Sequence, residues 1–375
     1  MKVVIAIDSF KGSLTSIEAA NALKEGILLV HEDADVVIKP LADGGEGTTD
    51  ALIEGLNGKR MDLTVTGPMG KPVDCYYGYL PETNTAVMEM ASCAGITLVP
   101  DHEKDPLVAS TYGVGEMIQD AMNKGIRNFI IGIGGSATND GGIGMLQALG
   151  YAFLDQDGNP VGEGGQALGK IVKVDDTKVN PIIKECTIRV ACDVNNPLCG
   201  PNGSTYVYGP QKGVKDSYKQ ALDEAMGNYA KATADYLGTD YSTYPGVGAA
   251  GGLGFAFKCY LNGQLTPGID LCLDAVKLEA DMNGADIVIT GEGRLDFQTA
   301  MGKAPVGVAK LAKKYGAKVL AFAGSVTKEA RACNQAGIDA FFPVVRGVCT
   351  LEEAMNPENA YANVRDTAEQ VFRLL

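Results

Sequence analysis

The sequence predicts an α/β protein: a parallel, doubly wound sheet domain of Rossmann or flavodoxin-like type, with a second, smaller mixed α/β domain inserted into it. Three observations carry this. Short apolar runs rich in β-branched residues recur along the chain. Most lead into a loop of Gly, Ser or Asp and then a helical pattern, a rhythm that implies parallel strands covered on both faces. Residues 61–99 and 151–265 break that rhythm. The expected division is 1–60, 101–150 and 266–375 for the parallel-sheet domain, and 61–100 with 151–265 for the insertion.

Val3–Ile7 reads as the first strand, followed by Asp8–Ser13 and a helix. Thr15-Ser16-Ile17-Glu18 is spaced as a capping box, and Ala19, Leu23 and Ile27 form its apolar stripe. Asp35–Pro40 leads into Asp43–Thr48 and a short helix. Phe129–Ile133 leads into Gly134-Gly135-Ser136-Ala137-Thr138-Asn139-Asp140-Gly141-Gly142, then a helix with Ile143, Leu146 and Leu149 on one face. Ile287–Thr290 leads into Gly291–Asp296, Val319–Ala323 into Gly324–Val326, and Phe341–Val345 is the last strand. Within the insertion, Leu63–Thr66, Tyr76–Leu80, Ala86–Met90, Ile171–Val174 and Thr187–Ala191 are strand-like, with a polar helix near 214–237.

A net charge of −14 argues against nucleic acid as partner, because that affinity depends on Lys and Arg neutralising phosphates. The nine scattered Cys lack zinc-site spacing, and several sit in apolar runs and read as small core residues. The apolar N-terminal run is too short for a signal peptide, and no window has the length and apolarity of a membrane span. A cytoplasmic protein is expected, with assembly into a homo-oligomer left open.

In open α/β sheets ligands bind beyond the carboxyl ends of the strands. Parallel strands would gather Asp8–Ser13, Asp43–Thr48, Gly134–Gly142, Gly291–Asp296 and Gly324–Ser325 on one rim. Glycine loops opening helices present unpaired amides to anions, although each alone also fits a simple chain reversal. Hydride transfer fits poorly: Gly132–Ala137 matches the dinucleotide fingerprint only loosely, and no acidic ribose contact follows. Walker A is absent, and His31 and His102 are not placed for a Ser-His-Asp hydrolase. Phosphoryl transfer runs without histidine, using cations, Mg²⁺ and a carboxylate near the attacking hydroxyl. The rim supplies Lys11, Arg294 and Lys303, with Lys212 from the insertion. Its carboxylates are Asp8, Asp43, Glu46, Asp140, Asp193, Glu292 and Asp296.

Asp8–Ser16, Ala42–Thr48, Gly132–Gly142, Cys192–Leu198, Gly248–Phe255 and Thr290–Asp296, in that order, closely resemble the bacterial type-1 glycerate kinase family from Met1 to about Val345. The resemblance implies ATP-dependent phosphorylation of D-glycerate, Mg²⁺, and an active site in the cleft between two α/β domains. It favours 2-phosphoglycerate over 3-phosphoglycerate as product.

On that footing Lys11 or Arg294 is expected to hold the glycerate carboxylate, with Asp8, Ser9 and Asn195 beside the substrate. Asp193 is the first choice to orient the attacking hydroxyl and act as base, and Asp296 the second. The plain alternative for Asp193 is an Asx-turn. Nucleotide phosphates are expected at Gly134, Gly135, Ser136, Thr138, Asn139 and Lys212. Asp43 and Asp140 are the Mg²⁺ candidates. Gly248–Gly254 reads equally as a second anion loop or a close-packing turn. The competing functions are a non-catalytic nucleotide- or sugar-acid-binding regulator, a kinase of another small hydroxy acid, and a nicotinamide-dependent oxidoreductase.

Overall fold

Backbone pairing sorts the strands into two main sheets, each within its own unit of the chain. The computed structural model describes residues 1–375. One unit comprises Met1–Asn57 and Ile269–Leu375, the other Gly58–Gly268. Before the insertion come β1 (Lys2–Ile7) and β2 (Asp35–Pro40). The insertion carries β3 (Lys59–Thr66), β4 (Pro72–Leu80), β5 (Thr85–Glu89), β6 (Asn128–Gly132), β7 (Ala152–Leu154), β8 (Lys173–Asp175), β9 (Thr187–Ala191) and β10 (Gln264–Thr266). After it follow β11 (Ile287–Leu295), β12 (Lys318–Val326) and β13 (Ala340–Pro343).

The first unit is the parallel sheet, ordered β13-β12-β11-β1-β2 with every pair parallel. Counting its own strands, this is the doubly wound order 2-1-3-4-5 of flavodoxin-like folds, which reverses direction between β1 and β11. Val3 to Ile7 are fully buried in β1, as a strand covered on both faces requires. Thr15 caps the helix Ser16–Leu28 as its spacing predicts: its hydroxyl accepts from Glu18 N–H (3.2 Å), and its own N–H donates to Glu18 Oε2 (2.8 Å). The Ser16 hydroxyl donates to Ile7 O (2.7 Å) and accepts from Leu41 N–H (3.1 Å). One side chain thus ties the ends of β1 and β2 to the helix between them.

The second unit is built on a mixed sheet ordered β10-β9-β6-β5-β4-β3, with a separate β7–β8 hairpin. β5, β6, β9 and β10 run parallel, whereas β3 and β4 pair antiparallel. Its core centres on Tyr229, whose ring meets Phe255 at 5.4 Å and Phe153 at 5.8 Å, edge to face.

Three expectations are corrected. Residues 101–150 belong to the inserted unit, because β6 pairs with β5 and β9 and not with any strand of the parallel sheet. The inserted unit is therefore the longer of the two, not the smaller. Gly291–Leu295 and Gly324–Val326 are not loops but the ends of β11 and β12, which stay paired to Leu295↔Val326. Glycine lets those strands approach: a Cβ at Gly291 would fall 1.9 Å from the Phe322 carbonyl oxygen.

Candidate active site

The chain ends of β1, β2, β11 and β12 surround a cavity of about 470 Å³ in the parallel-sheet unit. It lies at the carboxyl edge of the sheet, beside the β1/β11 switch point, where helices diverge to opposite faces and leave a crevice. Asp8, Ser9, Lys11 and Ser13 enter it from the segment after β1, and Asp43 from that after β2. Glu292 and Arg294 lie two apart on β11, so strand alternation sends both to one face, and Asp296 and Lys303 follow. Phe10, Val344, Val345, Leu351 and Met355 form an apolar wall.

Local geometry explains several of these positions. Phe10 and Leu14 exchange backbone hydrogen bonds (2.8 and 3.1 Å), with Gly12 at φ +77° inside the turn, which leaves Lys11 exposed. Asp43 Oδ1 accepts from Gly45 N–H at 2.9 Å, an Asx-turn that aims the carboxylate. Arg294 is mostly exposed and only loosely paired, its Nε 3.9 Å from Asp296 Oδ2. Asp296 itself caps the helix Phe297–Ala300, accepting from Gln298 N–H (2.8 Å) and Thr299 N–H (3.3 Å). Both bonds fall on Oδ1.

Carboxylates crowd this cavity. Asp8 is 6% exposed; burial, then the nearby Asp43 charge, pushes its carboxyl up to about 7, against the Ser9 N–H bond (2.7 Å) and Lys11. Burial also raises Glu292, opposed by the Thr299 hydroxyl that donates to it at 2.5 Å. No group of three or more potential ligands is arranged to hold a metal unaided. Asp8 and Asp43 both line the cavity.

The glycine loop after β6 belongs to the other unit and forms its own cluster. Gly134 and Gly135 are exposed, and nothing lies within 4 Å of a Cβ built on Gly134. Beneath them Lys212, 2% exposed, donates to Ser136 Oγ (2.6 Å) and to the Thr138 carbonyl (2.7 Å). Burial lowers its ammonium to about 7, with Asp140 opposing that shift. Asn139 donates to the Thr205 hydroxyl at 3.0 Å, while its Oδ1 and the Thr138 hydroxyl are buried with no protein partner.

Asp140, the other Mg²⁺ candidate, is engaged by the protein itself. It is fully buried and accepts from Thr111 N–H and Oγ1 (both 2.8 Å), Gly142 N–H (3.0 Å) and Gly144 N–H (3.3 Å). Its oxygens are consumed in shaping the loop. Gly248–Gly254 is likewise a packing turn: Gly251 O accepts from Gly141 N–H (2.9 Å), and a Cβ at Gly251 would sit 2.1 Å from the Thr138 carbonyl. Asp193 and Asn195 are exposed after β9, with Asp193 Oδ1 accepting from Gly268 N–H at 2.9 Å.

The parallel-sheet unit thus brings together Asp8, Ser9, Lys11, Asp43, Arg294 and Asp296. The inserted unit brings together Gly134, Gly135, Ser136, Thr138, Asn139 and Lys212. Glu292 and Lys303 were legible only as rim charges. The apolar wall went unforeseen, since a Leu and a Met four residues apart on a helix carry no mark of a ligand surface.

A model of the glycerate kinase family matches residues 3–375. The chain belongs to the glycerate kinase family. It is 45% identical over 371 residues to the glycerate kinase of Bacillus subtilis (strain 168), spanning 99% of this chain and 97% of that protein. It is also 45% identical over 364 residues to the glycerate 2-kinase of Escherichia coli (strain K12), spanning 97% and 95% respectively. A crystal structure described as a glycerate kinase 2 of Salmonella typhimurium LT2 matches at TM-score 0.92 and 44% identity, over 100% of this chain and 98% of that one. No helix is long and apolar enough to cross a membrane.

Proposed function

We propose that this glycerate kinase family member transfers the γ-phosphoryl group of ATP to the 2-hydroxyl of D-glycerate, giving 2-phosphoglycerate and ADP. One observation carries the reading: Lys11, Arg294 and Lys303 meet Asp8, Asp43 and Glu292 in one cavity at the sheet's switch point. The name of the Escherichia coli relative, a glycerate 2-kinase, supports the choice of hydroxyl.

Both substrates are anions, and each unit offers one receptive cluster, so each cluster takes one substrate. In the cavity three cations stabilise charge that develops on phosphate oxygens or that a carboxylate already carries. Asp8 and Asp43 would hold Mg²⁺, which when bound draws charge from the phosphate oxygens. In the inserted unit the open amides at Gly134 and Gly135 receive an anion over Lys212, whose ammonium gains the charged partner it lacks. Asp193 accepts the proton of the attacking hydroxyl, and Asn195 holds the acceptor beside it. Positioning and charge stabilisation supply most of the acceleration in such transfers, with a positioned base adding about 10²–10⁴-fold.

The decisive assay supplies purified protein with ATP, Mg²⁺ and D-glycerate and follows ADP. Enolase added alone to the product distinguishes the isomers, since only 2-phosphoglycerate is dehydrated directly. Absence of ADP release would leave the non-catalytic regulator, and faster turnover of another hydroxy acid would reassign the substrate. Asp193→Asn should lower turnover about 10²-fold or more; near-normal turnover removes Asp193 as the base.

A further inference from the structure

We propose that the cavity of the parallel-sheet unit is the nucleotide site, and that its apolar wall of Phe10, Val344, Val345, Leu351 and Met355 receives the purine base of the phosphoryl donor. This assignment rests on the kinase reading and reverses the expectation from sequence, in which Lys11 and Arg294 meet the acid and the Gly134–Ser136 loop meets the nucleotide.

Size comes first. A cavity of about 470 Å³ lies in the range of sites for ligands of nucleotide size and far exceeds what a three-carbon acid fills. Chemistry comes second. Every carbon of glycerate bears an oxygen, and a triphosphate has no apolar surface at all, so neither gains from contact with Val344, Val345, Leu351 or Met355. The base is the one flat, weakly polar part of either substrate. Leu351 stands 75% exposed beside the cavity, and a ligand face laid against it removes apolar surface from water.

The wall is also continuous with the charged end. A Cβ at Gly12 would lie 2.7 Å from Met355 Cε, so the turn presenting Lys11 rests on the same Met that lines the wall. A base against Leu351 and Met355 therefore directs its phosphates toward Lys11, Arg294 and Lys303. The Asp8 and Asp43 carboxylates stand there for the accompanying Mg²⁺. The inserted unit's glycine loop over Lys212, with Asp193 and Asn195 in the same unit, then takes the small hydroxy acid.

The test compares the wild type with Leu351→Asn and Met355→Ala. Leu351 is exposed, so its replacement leaves the fold intact. Two readouts are needed: KM for each substrate at saturation of the other, and direct binding of a fluorescent N-methylanthraniloyl ADP, which does not depend on turnover. The expected result is a rise of about tenfold in KM for ATP and in the Kd of the ADP probe, the effect of losing one apolar contact. KM for D-glycerate and kcat should stay within about twofold, since uniform binding alone is lost. A rise in KM for D-glycerate with ATP unaffected would overturn the assignment and place the acid in the cavity. Unchanged values for both substrates would overturn it as well. If the wild type binds the ADP probe but does not phosphorylate D-glycerate, the kinase reading fails while probe binding to the variants still decides the site.

Discussion

Asp8→Asn should make this protein more stable at pH 8 while abolishing its catalysis. Moving the Asp8 carboxyl from the ordinary 3.8 to about 7 means that the fold disfavours its ionised form by about 4 kcal/mol at most. The cause is burial, then Asp43, with Lys11 and the Ser9 N–H giving partial compensation. In the unfolded chain the carboxyl ionises near its ordinary value, so between the two values the native state binds more protons. Stability therefore falls as pH rises across that window. An asparagine has no charge to desolvate, and its side-chain oxygen keeps the Ser9 N–H bond. The gain over wild type should be close to zero below about pH 3, about 0.5 kcal/mol at pH 4, about 1.5 kcal/mol at pH 5, and largest above pH 7. Urea denaturation of both proteins across that range, without Mg²⁺ or nucleotide, reads the difference directly, because titrations common to both cancel. A gain independent of pH, or a variant less stable than wild type at pH 8, refutes the claim that Asp8 is held in an unfavourable charged state. Loss of activity with gain of stability is the expected mark of a carboxylate retained for its ligand.

The inserted unit yields two further expectations. Asp140→Ala should destabilise it by about 3 kcal/mol or more, since Thr111, Gly142 and Gly144 would keep buried donors without an acceptor; Asp140→Asn, which retains one acceptor oxygen, should cost less. Thermal unfolding separates the two, and equal losses would deny Asp140 its role as loop anchor. Lys212→Met should leave the fold near wild-type stability at pH 7, because the ammonium is buried without a paired carboxylate, yet lower kcat/KM for D-glycerate about 10²-fold. Its folded value near 7 lies below the unfolded one, so wild-type stability should rise between pH 7 and 10, and the variant should lack that rise. An unaltered pH profile would show that the lysine is not held against its charge.

Sequence pattern located most of the strands, although it missed β7 and β10 and ended β11 and β12 too early. β9 spans Thr187–Ala191 as expected, and the capping box at Thr15 is present with both hydrogen bonds. The reason is local: β-branched runs, glycine exits and S/T-x-x-E spacing act within a few residues. Six of the expected site residues meet in the first unit's cavity because four of its strands end together. The role of Asp140 was not legible, for its partners on Thr111 are 29 residues away and the backbone donors look like any others.

What pattern and composition established, then, is an α/β chain whose charged residues sit in glycine-rich turns at strand ends, with the motif order of a known kinase family. Sheet membership was out of their reach. β6 reads like any buried parallel strand, and only its pairing with β5 and β9 moves the Gly134–Gly142 loop off the first sheet's rim. The same holds for charge. An aspartate's identity is written in the chain, but whether it is a buried carboxyl near neutrality, as Asp8, or a saturated hydrogen-bond acceptor, as Asp140, depends on the desolvation and donors that distant segments bring to it.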